Sequence, residues 1–343
     1  MKHIPWQQRF SPRRILAIRL QALGDVVITL PYLQSLRNRL PGSRIDFLTR
    51  KEVADIPGQL ELFNRVYAIG GGRNFKLQNL FALFLLPRLL AQHYDVVIDL
   101  QNNFISRWIR KVLRPAAWSE FDRFSPLSAG ERTRHTIDVL GISAVEIAPL
   151  QLKDDSLGME LLEKAGWHPE QPLVVLNPAG YFPTRNWPLE NYVEIARLWQ
   201  THQAPNTRFL LLGVNSLDAR ASYLQERIGD AVINLVGRTS PAEAFAILKK
   251  TTLVITEDSG LMHMAWVAGA PTLALFGASR SDWSAPIGAY SFCLNSADLP
   301  CGECMAAECR YGDVHCLSRH TPAFVFRKAR QLIRTAVPKD EVT

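Results

Sequence analysis

The sequence predicts an α/β protein of two open parallel-sheet domains, and three observations carry that expectation. Short apolar runs of strand length alternate with amphipathic stretches of helical length, the signature of parallel sheets flanked by helices. The alternation restarts after the Pro-bounded stretch Pro169 to Pro172, which suits a linker between domains of similar size. A chain of 343 residues also exceeds what one ordinary core accommodates. The expected division is 1–168 for an N-terminal domain, 169–320 for a C-terminal domain and 321–343 for a closing helix that packs back on the N-terminal domain.

The elements follow in order. "RILAIRL" (Arg14 to Leu20) reads as the first strand, Val26 to Leu40 as a helix, and "RIDFLT" (Arg44 to Thr49) as a strand. "DVVIDL" (Asp95 to Leu100) precedes a helix over Phe104 to Leu113. After the linker come a strand ending at Asn177, a helix over Leu189 to His202, "RFLLLG" and a helix over Leu217 to Ile228. "VINLVG", a helix from Pro241 to Lys250, "TLVIT", a helix from Leu261 to Ala268, and "TLALFG" complete the second series. The last helix is expected over Pro322 to Ala336.

Composition excludes little but narrows the field. Hydrophobic residues at 47% and charged residues at 21% describe a soluble globular chain rather than a disordered one. The formal charge of +7, with Lys2, Arg9, Arg13, Arg14 and Arg19 near the start, favours an anionic partner: a nucleotide, a phosphorylated lipid, a membrane surface or nucleic acid. Met1 to Pro12 lacks the apolar segment of a secretory signal, so a cytosolic setting with reduced thiols is expected. "LFALFLLPRLLA" (Leu80 to Ala91) is interrupted by Pro87 and Arg88 and falls short of the ~20 residues that span a bilayer.

Ligands of open parallel sheets bind at the carboxyl ends of the strands, and three of those exits carry chemistry. At "ALGDVVITLP", Gly24 permits a tight turn and Asp25 falls at the start of a helix, as an N-cap or as a general base. The GxGxxG fingerprint is missing there, which counts against a dehydrogenase. At "NPAGYFPTRNWPLENY", Asn177, Gly180, Thr184 and Arg185 lie before a helix, as an ordinary connecting loop or as a pyrophosphate cradle. At "TEDSGLMHMAWVAGAPTLALFG", Asp258, Ser259 and Gly260 open a helix, and His263 lies one turn along on the face of Ser259. The turns "LLGVNSLD" (Gly213, Asn215, Asp218) and "LVGRTS" (Gly237 to Ser240) follow neighbouring strands and are candidates for nucleotide-base contacts.

Together these segments resemble glycosyltransferase family 9, the heptosyltransferase family of lipopolysaccharide core biosynthesis. The resemblance implies a GT-B fold, two Rossmann-like domains facing across a cleft, with the acceptor on the N-terminal half and a sugar nucleotide, often ADP-heptose, on the C-terminal half. Carried over by position, Asp25 is the general base and Arg185 neutralises the leaving pyrophosphate. Asp258 holds donor hydroxyls, while Ser259, Gly260 and His263 line the phosphate and sugar. The chemistry implied is inverting transfer to an inner-core acceptor, with no divalent metal required. The implied partners are a sugar nucleotide and a glycolipid, with peripheral contact to the anionic inner-membrane leaflet and no nucleic acid. Arg185 stands where many relatives have Lys, and Ile28 where many have His. Transfer of another sugar such as N-acetylglucosamine, a protein acceptor, and a sugar-nucleotide epimerase of the same architecture are the competing readings.

Two further segments stand apart. Cys301, Cys304, Cys309 and Cys316 are spaced C-x2-C-x4-C-x6-C, compatible with a structural Zn or Fe site and equally with reduced cysteines. Their segment also resembles the Cys-rich tail of some family members. Leu77 to Ala91, with Lys76 and Arg88, reads as a core helix or as a surface touching the inner leaflet.

Overall fold

The computed structural model describes residues 1–336, which divide at Asp154/Asp155 into two units, each built on its own six-stranded sheet. The remaining residues of the expected closing segment, 337–343, lie outside the described residues.

In the first unit the strands are β1 (His3–Ile4), β2 (Arg14–Ile18), β3 (Arg44–Arg50), β4 (Arg65–Ile69), β5 (Val96–Asp99) and β6 (Ala117–Glu120). Helices α1 (Leu23–Arg39), α2 (Asp55–Gln59), α3 (Phe75–Leu90), α4 (Phe104–Leu113) and α5 (Ala129–Asp138) connect and flank them. The order is β1-β6-β5-β2-β3-β4, parallel throughout except for β1 against β6. From β2 the chain moves outward through β3 and β4, then returns to place β5 on the other side of β2. That reversal opens a crevice at the carboxyl ends of β2 and β5. Ile15, Leu16, Ala17 and Ile18 of β2 are fully buried, which is why this strand reads as one apolar run.

The second unit comprises α6 (Met159–Lys164), β7 (Leu173–Asn177), α7 (Leu189–His202), β8 (Arg208–Leu211), α8 (Asp218–Ile228), β9 (Val232–Asn234) and α9 (Pro241–Leu248). It continues through β10 (Leu253–Glu257), α10 (Gly260–Val267), β11 (Thr272–Leu275), α11 (Ser281–Ser284), β12 (Ser291–Leu294), α12 (His315–Ser318) and α13 (Pro322–Ala336). Its wholly parallel order β12-β11-β10-β7-β8-β9 puts the reversal between β7 and β10. Trp187, Tyr192, Trp199 and Phe209 anchor its core.

One boundary differs from the sequence expectation, and so does the packing of one helix. The division falls at 154/155 rather than 168/169, because residues from 155 onward are built onto the second unit. Asp155 pairs with Lys249 at 2.6 Å, and α6 packs on α9. Gly158, at φ +73°, brings its backbone within van der Waals reach of Ile247 and Glu243. The expected closing helix forms as α13, but it packs on α7 inside the second unit, with Val325, Phe326, Ala329 and Leu332 in that core. Trp199 and Phe326 meet edge to face, their ring centroids 5.8 Å apart.

Candidate active site

The two strand-order reversals gather the polar residues of each unit, and each site is built from its own sheet. In the first unit, β2 ends at Ile18, and the following loop turns into α1 with Asp25 in its first turn. Asp25 is half-exposed, and its Oδ2 accepts the Ala22 amide at 3.1 Å and meets Arg19 Nη2 at 3.0 Å. Both contacts fall on one carboxylate oxygen. The N-cap of α1 is Ala22, not Asp25 as the sequence suggested; Asp25 stands three residues further on, where its side chain accepts the N-cap amide, secures the helix start and still faces solvent.

Around Asp25 lies a cavity of about 760 Å³, walled by Arg19, Arg50, Arg73, Arg123 and Arg132 against Asp25 and Glu52. These arginines come from the carboxyl ends of β2, β3, β4 and β6 and from α5. The sequence reading singled out Arg19 alone, because the others are scattered over residues 50 to 132 and meet only when the strands align. Arg19 and Arg132 flank the Phe121 ring at 4.9 and 5.1 Å. Burial and the neighbouring Arg19 charge both lower Arg132 from its usual value. At the end of β5, fully buried Asp99 accepts the Gln101 and Asn102 amides at 3.2 and 2.7 Å. Burial raises its carboxyl, while the amides pull it back. The loop so fixed presents Gln101, whose Oε1 accepts the Leu20 and Gln21 amides.

In the second unit Arg185 and Asp258 meet at 3.0 Å, joining the loop after β7 to the exit of β10. Ser279 Oγ also donates to Asp258 Oδ2, at 2.5 Å. Ser259 caps α10, accepting the Met262 amide at 3.3 Å and Asn177 Nδ2 at 2.8 Å. Gly260 is the first residue of that helix, whose amino end carries partial positive charge.

Several predicted donor residues serve the frame instead of presenting side chains. Asn177 is fully buried and spends its amide on Thr256 and Ser259. Thr184 is buried with its hydroxyl donated to Ala306 O at 2.6 Å. Gly180 donates its amide to Glu257 Oε2 at 2.7 Å, and a Cβ there would overlap Arg185 O and Asn186 Oδ1. His263 is buried one turn into α10, its Nδ1 accepting from Trp266 Nε1 at 3.4 Å. Gly213 and Gly237 stand side by side at the exits of β8 and β9, joined by a 2.8 Å backbone hydrogen bond. Gly237, at φ +67°, leaves room for the Asn215 amide, and Asp218 opens α8.

Sequence reading missed the organiser of this site. Glu257, fully buried at the end of β10, accepts from the Gly180 amide (2.7 Å), the Trp187 amide (2.7 Å) and Tyr192 Oη (3.2 Å). Burial pushes its carboxyl up to about 7 despite these donors. Arg220 of α8 clamps the same loop through Pro178 O (2.7 Å), Asn186 Oδ1 (3.0 Å) and Gly180 O (3.3 Å). The signal for Glu257 was present: a carboxylate ending a strand buried on both faces needs donors, and loop amides are the nearest source.

Cys301, Cys304, Cys309 and Cys316 line one cavity of about 470 Å³ beside Thr184 and Gly277. Backbone amides around Cys309 lower its thiol, and burial raises that of Cys316. Among the described residues no three His, Cys, Asp or Glu side chains are grouped so as to hold a metal ion.

Comparison with known proteins decides the family. Residues 83–315 match the model of glycosyltransferase family 9 (heptosyltransferase). The chain belongs to that family. It is similar to lipopolysaccharide heptosyltransferase 1 of Pseudomonas aeruginosa, 26% identical over 87% of this chain and 88% of that one. In fold, the chain is similar to a family 9 glycosyl transferase from Veillonella parvula, with TM-score 0.82, 18% identity, and coverage of 96% of this chain and 99% of that one. It is also similar to E. coli ADP-heptose lps heptosyltransferase II, with TM-score 0.72, 18% identity, and coverage of 94% and 98%. The architecture is GT-B and the protein is a glycosyltransferase. The family match begins after Asp25, so that residue's role rests on its motif and its cavity.

Proposed function

We propose that the protein transfers a heptose, with inversion, from ADP-heptose to an anionic acceptor of the lipopolysaccharide inner core. The observation that carries this reading is the exposed Asp25 carboxylate in an arginine-walled cavity, within a family whose relatives are heptosyltransferases. Arginines suit phosphate and carboxylate groups because their planar forks match those oxygens in pairs.

Asp25 takes the proton of the acceptor hydroxyl as its oxygen bonds to the anomeric carbon, and the bond from that carbon to the diphosphate breaks on the opposite face. The diphosphate leaves with its charge met by Arg185 and the amino end of α10. Arg185 is held by Asp258. An arriving diphosphate competes for the guanidinium and frees Asp258 for sugar hydroxyls. The chemistry needs no divalent metal, so a chelator leaves the rate unchanged. The Cys cavity has no part in the proposed reaction; among the described residues its thiols are not grouped as metal ligands in this arrangement, and elemental analysis of the purified protein tests whether they hold a structural Zn or Fe.

The acceptor, as a glycolipid, brings peripheral contact with the inner leaflet. Incubation with a panel of sugar nucleotides and crude core-lipid acceptors, followed by nucleotide release, tests the whole reading. Acceptor-dependent release of ADP supports it. Release of UDP from a UDP-sugar, or turnover of donor alone as an epimerase would give, overturns it.

A further inference from the structure

We propose that the outer face of α3, together with Phe104 of α4, docks on anionic lipid bilayers; this deepens the glycolipid-acceptor reading and rests on it. Only Ala82, Leu86 and Leu89 of α3 are buried against the sheet. The opposite side, which in a soluble domain carries polar residues, presents Leu77, Leu80, Phe81, Leu83 and Phe84 to solvent, Phe84 at 70% exposure. Phe104, 64% exposed, extends the patch across to α4 through its edge contact with Phe75, 5.8 Å between centroids. An apolar surface of this extent marks an interaction site rather than a solvated face.

Charge selects the occupant. Neither α3 nor α4 contains an Asp or Glu, and Arg73, Lys76, Arg88, Arg107, Lys111 and Arg114 lie exposed along or beside the two helices. A second copy of the chain seated face to face would bring this cationic rim against itself. An anionic leaflet meets both features, phenyl and leucyl side chains entering the headgroup boundary and cations pairing with phosphates. Among the described residues no helix is long and apolar enough to cross a membrane, so the helix would lie in the interface.

The patch adjoins the Asp25 cavity. Gly72 and Arg73 wall that cavity and lead directly into α3. Gln78 Nε2 donates to Gly72 O at 2.6 Å, and Gly71, at φ +102°, packs its backbone against Leu77 and Gln78. A bilayer resting on α3 therefore lies beside the cavity wall, where a lipid-borne sugar would be met.

The test uses the full-length protein and cosedimentation with phosphatidylethanolamine–phosphatidylglycerol vesicles that contain no glycolipid. The wild type sediments with them, weakly with phosphatidylcholine vesicles, and less as salt rises. The double variant Leu80→Ser/Phe84→Ser loses about tenfold or more in partitioning, while Phe124→Ser, at an exposed aromatic off the patch, keeps it. Removing one cation, as in Lys76→Ala, costs about fivefold. Wild type left in the supernatant, or a double variant that binds like wild type, overturns the proposal. So does a patch variant that alters only oligomeric size in sedimentation velocity, which would assign the face to another copy. The vesicles hold neither donor nor acceptor, so cosedimentation reads the docking surface alone, while failure of acceptor-dependent nucleotide release in the separate transfer assay would sink the transferase reading without changing the vesicle result.

Discussion

The two strand-order reversals share a plan and differ in what they fix. Each has a fully buried acid at the end of the strand beyond the reversal, Asp99 on β5 and Glu257 on β10. Asp99 holds amides two and three residues along its own chain, so it shapes one local turn. Glu257 reaches back to Gly180 and Trp187, more than sixty residues earlier, and binds the loop of Arg185 to another strand. With Arg220, Asn177 and Ser279 adding further ties, the second site is set before any ligand arrives. The first site is an open cavity, in which Arg19 is tied to Asp25 and Leu100 O and Arg50 to Glu52 and Gln21. On the proposed reading, a diphosphate of constant shape rewards preorganisation, whereas a larger, varied anionic acceptor is served by charge and room.

The sharpest break in this comparison comes from Asp25→Asn. Turnover is expected to fall by roughly 10²–10⁴ with donor affinity retained, measured by nucleotide release and by calorimetry with ADP. Near-normal turnover would remove Asp25 as the base. Next is Arg185→Ala, with a rate loss of roughly 10²–10³; Arg185→Lys should recover part of it, since it restores the charge without the fork.

Glu257→Gln tests preorganisation itself. The amide nitrogen would face one of two backbone donors, costing about 1–3 kcal/mol in chemical denaturation and weakening ADP binding. The pH dependence has a definite sign. The folded Glu257 titrates near 7 against an ordinary value of 4.5, so the folded state holds the extra proton between them. This group's contribution is therefore full below about 4.5 and is lost as pH rises through about 7. Glu257→Gln should flatten that part of the stability profile. Asp99→Asn, by contrast, should disturb the first unit and leave ADP affinity unchanged. The smallest effect belongs to Arg73→Ala, a severalfold rise in acceptor KM that shrinks with added salt, with kcat nearly constant.

Legibility differed between the two sites in the same way. The residues of the second site lie in contiguous motifs, so Arg185, Asp258 and Ser259 could be read from strand-exit chemistry. Their roles were less readable: Asn177 and Thr184 have the chemistry of ligand binders, yet both are buried, with the Asn177 NH2 group and the Thr184 hydroxyl donated within the protein. The arginine cavity had no local signature, since no two of its cations share a motif. Edge strands β4 and β12 escaped notice because they are partly exposed and lack long apolar runs.

By itself the sequence determined the alternation of strand and helix, the two parallel sheets and the three chemical strand exits, because apolar period and turn residues act over a few positions. Tertiary structure alone decided which of those polar groups face solvent, which carboxylate organises the Arg185 loop, where the units divide and where the arginines converge. Those outcomes depend on strand order and burial, which bring together residues that are far apart along the chain.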